Sequence, residues 1–300
     1  MSDFTSDFWS YYVAVITVVS IVACAVPLWT RKSRPKPGQQ VGTMGHVWDE
    51  NLEEYNNPLP NWWRWLFLIT IVFGLAYLVL YPGLGRFAGT FKWTSTGQYD
   101  AEQARAEVRY GPLFAKFAAM DLPAVAADPK AREMGQRLFL NYCAQCHASD
   151  ARGSRGFPNL ADNDWLYGGD PATIKTTIVN GRNGIMPPLG SVLGDQGVKD
   201  AAHYVLSLSG LTHDSLLASR GKALFAANCV ACHGADGKGN TALGAPNLTD
   251  KVWLYGGGET TISETIRAGR NNKMPPWGDF LGDAKSHVLA AYVWGLFNAK

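Results

Sequence analysis

The sequence predicts a mostly α-helical protein in which two N-terminal membrane-spanning helices precede two tandem copies of one small helical domain. Three observations carry this prediction. Two long apolar stretches lie in the first third of the chain. The segment from about Lys130 to the end repeats itself. Four of the five cysteines form two pairs, Cys143/Cys146 and Cys229/Cys232, each followed at once by a histidine, His147 or His233.

The first apolar stretch, Phe8 to Trp29, carries no charge, and the second, Trp62 to Tyr81, carries only Arg64. Each has about the 20 apolar residues that a helix needs to cross a bilayer. Aromatic side chains crowd their ends: Phe8, Trp9, Tyr11, Tyr12 and Trp29 on the first, Trp62, Trp63, Trp65 and Tyr81 on the second. Amphipathic rings prefer such interfacial positions. A cleavable signal peptide would carry positive charge before its apolar stretch. Here Asp3 and Asp7 come before, and Arg31, Lys32, Arg34 and Lys36 come after. The positive-inside rule then puts 30–61 in the cytoplasm, with the N-terminus and everything after Tyr81 outside. A buried hairpin in a soluble core is the competing reading, and the flanking charges and aromatic belts argue against it. Residues 1–82 therefore read as a membrane anchor with helices at about 8–29 and 62–81. Residues 83–129 read as a spacer, either a tether or an amphipathic helix (Tyr99 to Phe117) docking on a partner.

The remainder is a duplication. The first copy, 130–211, contains GQRLFLNYCAQCH (135–147), FPNL (157–160), DNDWLYGG (162–169), IKTTIVNGR (174–182), MPPLG (186–190) and HYVLSLSG (203–210). The second copy, 212–300, contains GKALFAANCVACH (221–233), APNL (245–248), DKVWLYGG (250–257), ISETIRAGR (262–270), MPPWG (274–278) and HVLAAYVWG (287–295). Gly135, Phe139 and Cys143 are spaced by four and share one helix face, as do Gly221, Phe225 and Cys229. A glycine inside a helix costs roughly 1 kcal/mol against alanine. Its recurrence predicts a second helix crossing closely there, and the last helix of each copy, with Tyr204 or Tyr292 against the phenylalanine, is the expected partner.

C-x-x-C-H is the attachment pattern of c-type haem. Two thiols add to the two vinyl groups on one edge of the porphyrin, and the adjoining histidine lies under the iron. Zinc would want four ligands, usually from a second close pair. A thioredoxin-like dithiol would want a βαβ context, and these segments read helical. The decisive partner is a methionine: Met186 follows His147 by 39 positions and Met274 follows His233 by 41, each opening an M-P-P-x-G turn. The prolines fix the loop, and Met/His ligation raises a haem potential. Cys143, Cys146, Cys229 and Cys232 are thus the expected attachment residues of two covalently bound haem c. His147, Met186, His233 and Met274 are the expected iron ligands. Spacing alone leaves open whether each methionine serves its own copy's iron or the other's. With both axial positions filled, no iron has an open site, so electron transfer is expected and no catalytic site in this chain.

Arg182 and Arg270, with Trp165 and Trp253, are candidates for contacts to haem propionates or edges, against plain surface and core roles. His203, His213 and His287 lack motif support and read as structural, and Cys24 reads as a small hydrophobe. A net charge of +2 with 17% charged residues offers no basic stripe for nucleic acid.

The segment GTMGHVWDENLEEYNNPLPNWWRWLF (42–67) and the order of two spans, spacer and two C-x-x-C-H copies resemble the dihaem subunit III, the CcoP/FixP type, of cbb3-type cytochrome c oxidases. The resemblance covers nearly the whole chain, most strongly 42–82 and 135–300. It implies two class I cytochrome c domains on the periplasmic side of a bacterial inner membrane, with both termini periplasmic. It also implies electron flow from a donor cytochrome c to the monohaem cytochrome c subunit, and so to the catalytic haem–copper subunit, where oxygen is reduced with proton pumping. The loop residues His46, Asp49, Glu50, Glu53 and Glu54 either contact partner subunits or are merely solvated. A dihaem subunit of a periplasmic dehydrogenase and a free electron shuttle are the alternatives. A haem sensor or peroxidase would need an open axial position.

Overall fold

The computed structural model describes residues 5–30, 38 and 40–298. The basic cluster Arg31, Lys32, Arg34 and Lys36, and Asp3, lie outside the described residues. The chain divides into two compact units, Met1–Glu107 and Val108–Lys300.

The first unit contains α1 (Asp7–Thr30), a hairpin of β1 (Thr43–Trp48) and β2 (Leu52–Tyr55), and α2 (Asn61–Leu80). Both helices are long and apolar enough to cross a membrane, and their limits match the expected spans within a residue or two. No residue of α2 is buried, and Trp62, Trp65 and Phe73 are each about two-thirds exposed. An apolar helix bare on every side suits lipid, because its backbone polar groups are satisfied within the helix. α1 and α2 touch. Beyond α2 the chain folds back: Thr90 and Phe91 donate to the carbonyls of Val79 and Leu80. The Arg86 amide donates to Ser10 Oγ at 2.9 Å, and its guanidinium pairs with Asp7. The start of α1 and the residues after α2 therefore share one end of the helix pair.

The hairpin was not expected. Asp49 and Glu50 take left-handed φ values of 46° and 70° and turn the chain between β1 and β2, in a segment that reads as a charged loop. Every residue of both strands is exposed.

Of the two readings of the spacer, a helix is what forms at 99–117, as part of α3 (Ser95–Ala118). Its end, Phe117, is 1% exposed, and α4 (Leu122–Ala127) follows with Leu122, Val125 and Ala126 buried in the same core. The end of the expected spacer is thus part of the second unit's core.

The duplicated segment supplies α5 (Pro129–Tyr142), α6 (Ala144–His147), α7 (Pro171–Asn180), β3 (Arg182–Met186) and α8 (Gly190–Leu208) from the first copy. The second copy supplies α9 (Ser215–Asn228), α10 (Val230–His233), α11 (Glu259–Ala268), β4 (Arg270–Met274) and α12 (Gly278–Asn298). Aspartates start α5, α7 and α9: Asp128, Asp170 and Asp214 each accept from backbone amides of the first turn, satisfying donors that have no partner inside the helix.

The packing corrects one expectation. The last helix of each copy lies on the other copy's cysteine-bearing helix. α12 packs on α4, α5 and α7, while α8 packs on α9 and α11. Phe139 meets Tyr292 with ring centroids 5.7 Å apart, and Phe225 meets Tyr204 at 5.2 Å. Gly135 lies under Tyr292 and Gly221 under Asp200 and Tyr204, so close that a Cβ at either glycine would overlap its neighbour. The physical reason is the antiparallel ribbon between the halves, in register from Arg182↔Met274 to Met186↔Arg270. Five extended residues span roughly 17 Å, enough to carry each chain segment from one half to the other. Two reciprocal bonds lock the exchange: Leu189 N–H donates to Ile266 O at 2.9 Å and Trp277 N–H to Ile178 O at 3.0 Å. Ion pairs reinforce it, Lys175 with Asp283 at 2.7 Å and Arg267 with Asp195 at 3.0 Å.

Gly135→Ala is expected to cost about 1–3 kcal/mol in thermal or denaturant unfolding, the usual range for overpacking. A double-mutant cycle with Tyr292→Ala should recover part of that cost, and a cycle with Tyr204→Ala should show no coupling.

Candidate haem centres

Each half gathers one candidate site, and the cysteines, histidine and tryptophan of the two sites occupy matching places in the repeat. In the first, α5 ends at Cys143, and the single turn of α6 carries Cys146 and His147. The loop after α6 returns so that the His147 ring, 9% exposed, lies 3.0 Å through Nδ1 from Pro158 O. A carbonyl only accepts, so Nδ1 carries the proton and Nε2 presents its lone pair. In the second half His233, 8% exposed, donates from Nδ1 to Pro246 O at 3.1 Å. Burial lowers the pKa of both histidines, only partly opposed by these hydrogen bonds. Both imidazoles are therefore held neutral and in the tautomer that suits a metal ligand. Burial, and then the neighbouring Cys146, push the Cys143 thiol up to about 11. Cys229 is raised by burial and by Cys232.

The two methionines come from across the ribbon. Met274 packs in the core that holds Cys143, Ala144, Leu160 and Trp165. Met186 packs in the core that holds Cys229, Val230, Leu248 and Trp253. The structure thus brings Cys143, Cys146 and His147 together with Met274, and Cys229, Cys232 and His233 together with Met186.

The pockets fit a haem by an independent criterion. Trp165 Nε1 and Trp253 Nε1 are buried donors without a partner among the described residues. Buried indole N–H groups normally have an acceptor, and the carboxylate of a propionate would supply one to each. Gly169 and Gly257 make room for these rings, since a Cβ would come within 2.6 Å and 2.8 Å of the respective indole Cδ1. Among the described residues no group of three or more His, Cys, Asp or Glu converges as a metal cage.

The other residues singled out by the sequence fall into place. Arg182 stacks at 4.6 Å over Tyr167 and donates from Nε to Thr177 Oγ1. Arg270 stacks at 4.1 Å over Tyr255, donates from Nε to Thr265 Oγ1 and pairs with Glu264 at 3.3 Å. His203 accepts the Asp214 amide at Nδ1, and His287 donates from Nε2 to Met120 O. His213 is exposed, with Nδ1 2.8 Å from its neighbour Leu211 O. The contacts of the three histidines are structural, in line with their lack of a motif. His46 meets Trp48 edge to face in the exposed hairpin. Sequence reasoning assigned no role to Pro158 and Pro246 or to Tyr167 and Tyr255. The signal was available, because both pairs recur at matching places in the two copies.

The known proteins that this chain resembles agree with that chemistry. Residues 40–88 match the family described as the N-terminal domain of cytochrome oxidase-cbb3, FixP. Residues 130–205 and 217–293 match the family described as cytochrome c oxidase, cbb3-type, subunit III. The chain is 54% identical over 297 residues to the cbb3-type cytochrome c oxidase subunit CcoP of Rubrivivax gelatinosus, covering 99% of this chain and 97% of that protein. It is 40% identical over 290 residues to CcoP of Cereibacter sphaeroides, with 89% and 98% covered. It is also 40% identical over 268 residues to the FixP subunit of Azorhizobium caulinodans, with 84% and 91% covered. With two C-x-x-C-H pockets and a full-length match on both sides, the chain belongs to the CcoP/FixP family of cbb3-type cytochrome c oxidase subunits, electron-transfer cytochromes c rather than catalytic subunits.

Proposed function

We propose that this chain holds two covalent haem c groups on the periplasmic face of a bacterial inner membrane. It passes electrons from a donor cytochrome c to the monohaem subunit, and so to the haem–copper subunit of a cbb3-type oxidase. The observation that carries this reading is the pair of equivalent pockets, each with two attachment thiols, a neutral histidine of fixed tautomer, a methionine on a proline-locked loop and an orphaned indole donor. A haem supplies a one-electron ferric–ferrous couple when bound. The protein's part is to hold it, exclude water and set its potential.

Within each pocket the roles follow from position. Cys143 and Cys146, or Cys229 and Cys232, would form the two thioether bonds to a haem. His147 with Met274 would hold one iron and His233 with Met186 the other, each pair drawing its histidine from one copy and its methionine from the other. Thioether ligation favours the ferrous form and raises the potential. Trp165 and Trp253 would each donate to a propionate, and the buried surroundings would favour the less charged ferrous centre. Since this chain would supply both protein ligands of each iron, oxygen chemistry is left to another subunit. The orientation rests on Arg31, Lys32, Arg34 and Lys36 between the two apolar helices, and on the Arg86–Asp7 pair that joins the outer ends of α1 and α2.

Purified in mild detergent, the full chain should bring a haem–copper subunit and a monohaem cytochrome c with it, and its loss should abolish oxygen uptake driven by cytochrome c. The assignment fails if no haem–copper subunit co-purifies and oxygen uptake is unchanged. Met274→His should lower the potential of the haem ligated by His147 and move that ring's paramagnetically shifted NMR signals, and Met186→His should do so for His233. The uncrossed pattern contradicts the ligand assignment. Trp165→Phe removes a hydrogen bond to a charged group, a contribution of about 2 kcal/mol. Potentiometry should find the potential of the His147 haem lowered, because the freed propionate charge disfavours the added electron.

A further inference from the structure

Tyr167 and Tyr255, at matching places in the two W-L-Y-G-G segments, have no role in the reading above. Each reaches across the interface. Tyr255, of the second half, lies over Gly156 of the first, where a Cβ would stand 3.4 Å from the ring carbon Cε1. The preceding residue strengthens the join, since Gly156 N–H donates to Leu254 O at 2.8 Å. Tyr167, of the first half, presses on Gly244 of the second so closely that any Cβ there would overlap its ring. Gly156 and Gly244 have φ values of 89° and 70° and stand two residues before Pro158 and Pro246. Those are the prolines whose carbonyls hold His147 and His233. Both tyrosines are themselves anchored, by the Arg182 and Arg270 stacks, and Tyr255 also donates its hydroxyl proton to Asn272 Oδ1 on the ribbon.

We propose that Tyr255 and Tyr167 are positioning residues acting across the interface, each setting the histidine–carbonyl hydrogen bond of the haem site in the opposite half, and with it that site's potential. The proposal rests on the ligand roles given to His147 and His233 above. The physics is that of an outer-shell lever. A stronger Nδ1–H···O=C bond makes the imidazole a better donor to iron and stabilises the ferric state. A loop free to relax lengthens that bond and favours the ferrous state. The ring of one half therefore tunes the iron of the other, which no contact within a single copy would do.

The test uses the holoprotein in detergent, with two readouts: reduction potentials resolved by site, and the paramagnetically shifted ring signals of His147 and His233. Tyr255→Ala should keep both covalent low-spin haems. It should raise the potential at the His147 site, changing its ferrous-to-ferric ratio severalfold at a fixed applied potential, and affect the His233 site less. Tyr255→Phe keeps the ring on Gly156 and should restore the original value. Tyr167→Ala should act on the His233 site instead, and Tyr255→Leu serves if the alanine variant fails to fold. Arg270→Gln removes the stack without removing the ring and should leave the His147 site in place. A shift confined to the variant's own half, a fall at the opposite site (the mark of water entry), or no shift with both haems intact overturns the proposal. Absence of covalent haem from the unaltered protein would instead defeat the reading on which it rests.

Discussion

The antiparallel pairing of β3 with β4 is the constraint on which the second unit depends. Once Arg182 faces Met274 and Met186 faces Arg270, the chain leaving each strand can only enter the opposite half. The consequences are visible along its whole length. α8 and α12 change places, Gly135 and Gly221 receive the other copy's tyrosine, and Cys143 and Cys229 each share a core with the other copy's methionine. Gly181 and Gly269 allow this at the entry to each strand. Their φ values are 68° and 70°, and a Cβ at either would strike the backbone of the opposing M-P-P loop.

An exchanged pair of domains behaves differently from two beads on a string. In a string each half stores its stability in its own contacts. Here the buried rings Phe139 and Phe225 pack against helices that belong to the other repeat. Neither sequence repeat therefore closes a pocket by itself. For a protein that moves electrons, the same arrangement holds two sites at a fixed separation without a flexible linker between them. A fixed separation and rigid surroundings keep reorganisation small, which is what electron transfer asks of a scaffold. The membrane anchor is built on the opposite principle: its helices bury almost nothing within the unit and leave their apolar surface for lipid or partner subunits.

Much of this was legible in the sequence because its signals are local. The spans show in unbroken apolar stretches, and α1 and α2 begin and end within a residue or two of them. The haem motifs show because thioether attachment demands two thiols and a histidine at fixed spacing. The glycines of α5 and α9 correctly foretold a close helix crossing. What could not be read was which helix crosses, because the two final helices are near copies and offer similar tyrosines at similar places. Pairing between β3 and β4 is a long-range contact between strands of mixed polar sequence, with no hydrophobic alternation to announce it. The hairpin at 43–55 escaped for a related reason: its strands bury nothing, and their acidic residues read as loop. The roles of Pro158 and Pro246 rest on carbonyls, which side-chain chemistry does not reveal.

The exchange itself is open to a direct covalent test. Lys175 on α7 lies 2.7 Å from Asp283 on α12, and Asp195 on α8 is the residue that would stand there if each copy kept its own last helix. Paired cysteine substitutions, Lys175→Cys with Asp283→Cys and Lys175→Cys with Asp195→Cys, can be oxidised in the intact holoprotein and mapped by mass spectrometry of the proteolytic fragments. An intramolecular cross-link is expected for the 175–283 pair and none for the 175–195 pair. A cross-link between 175 and 195 contradicts the exchange.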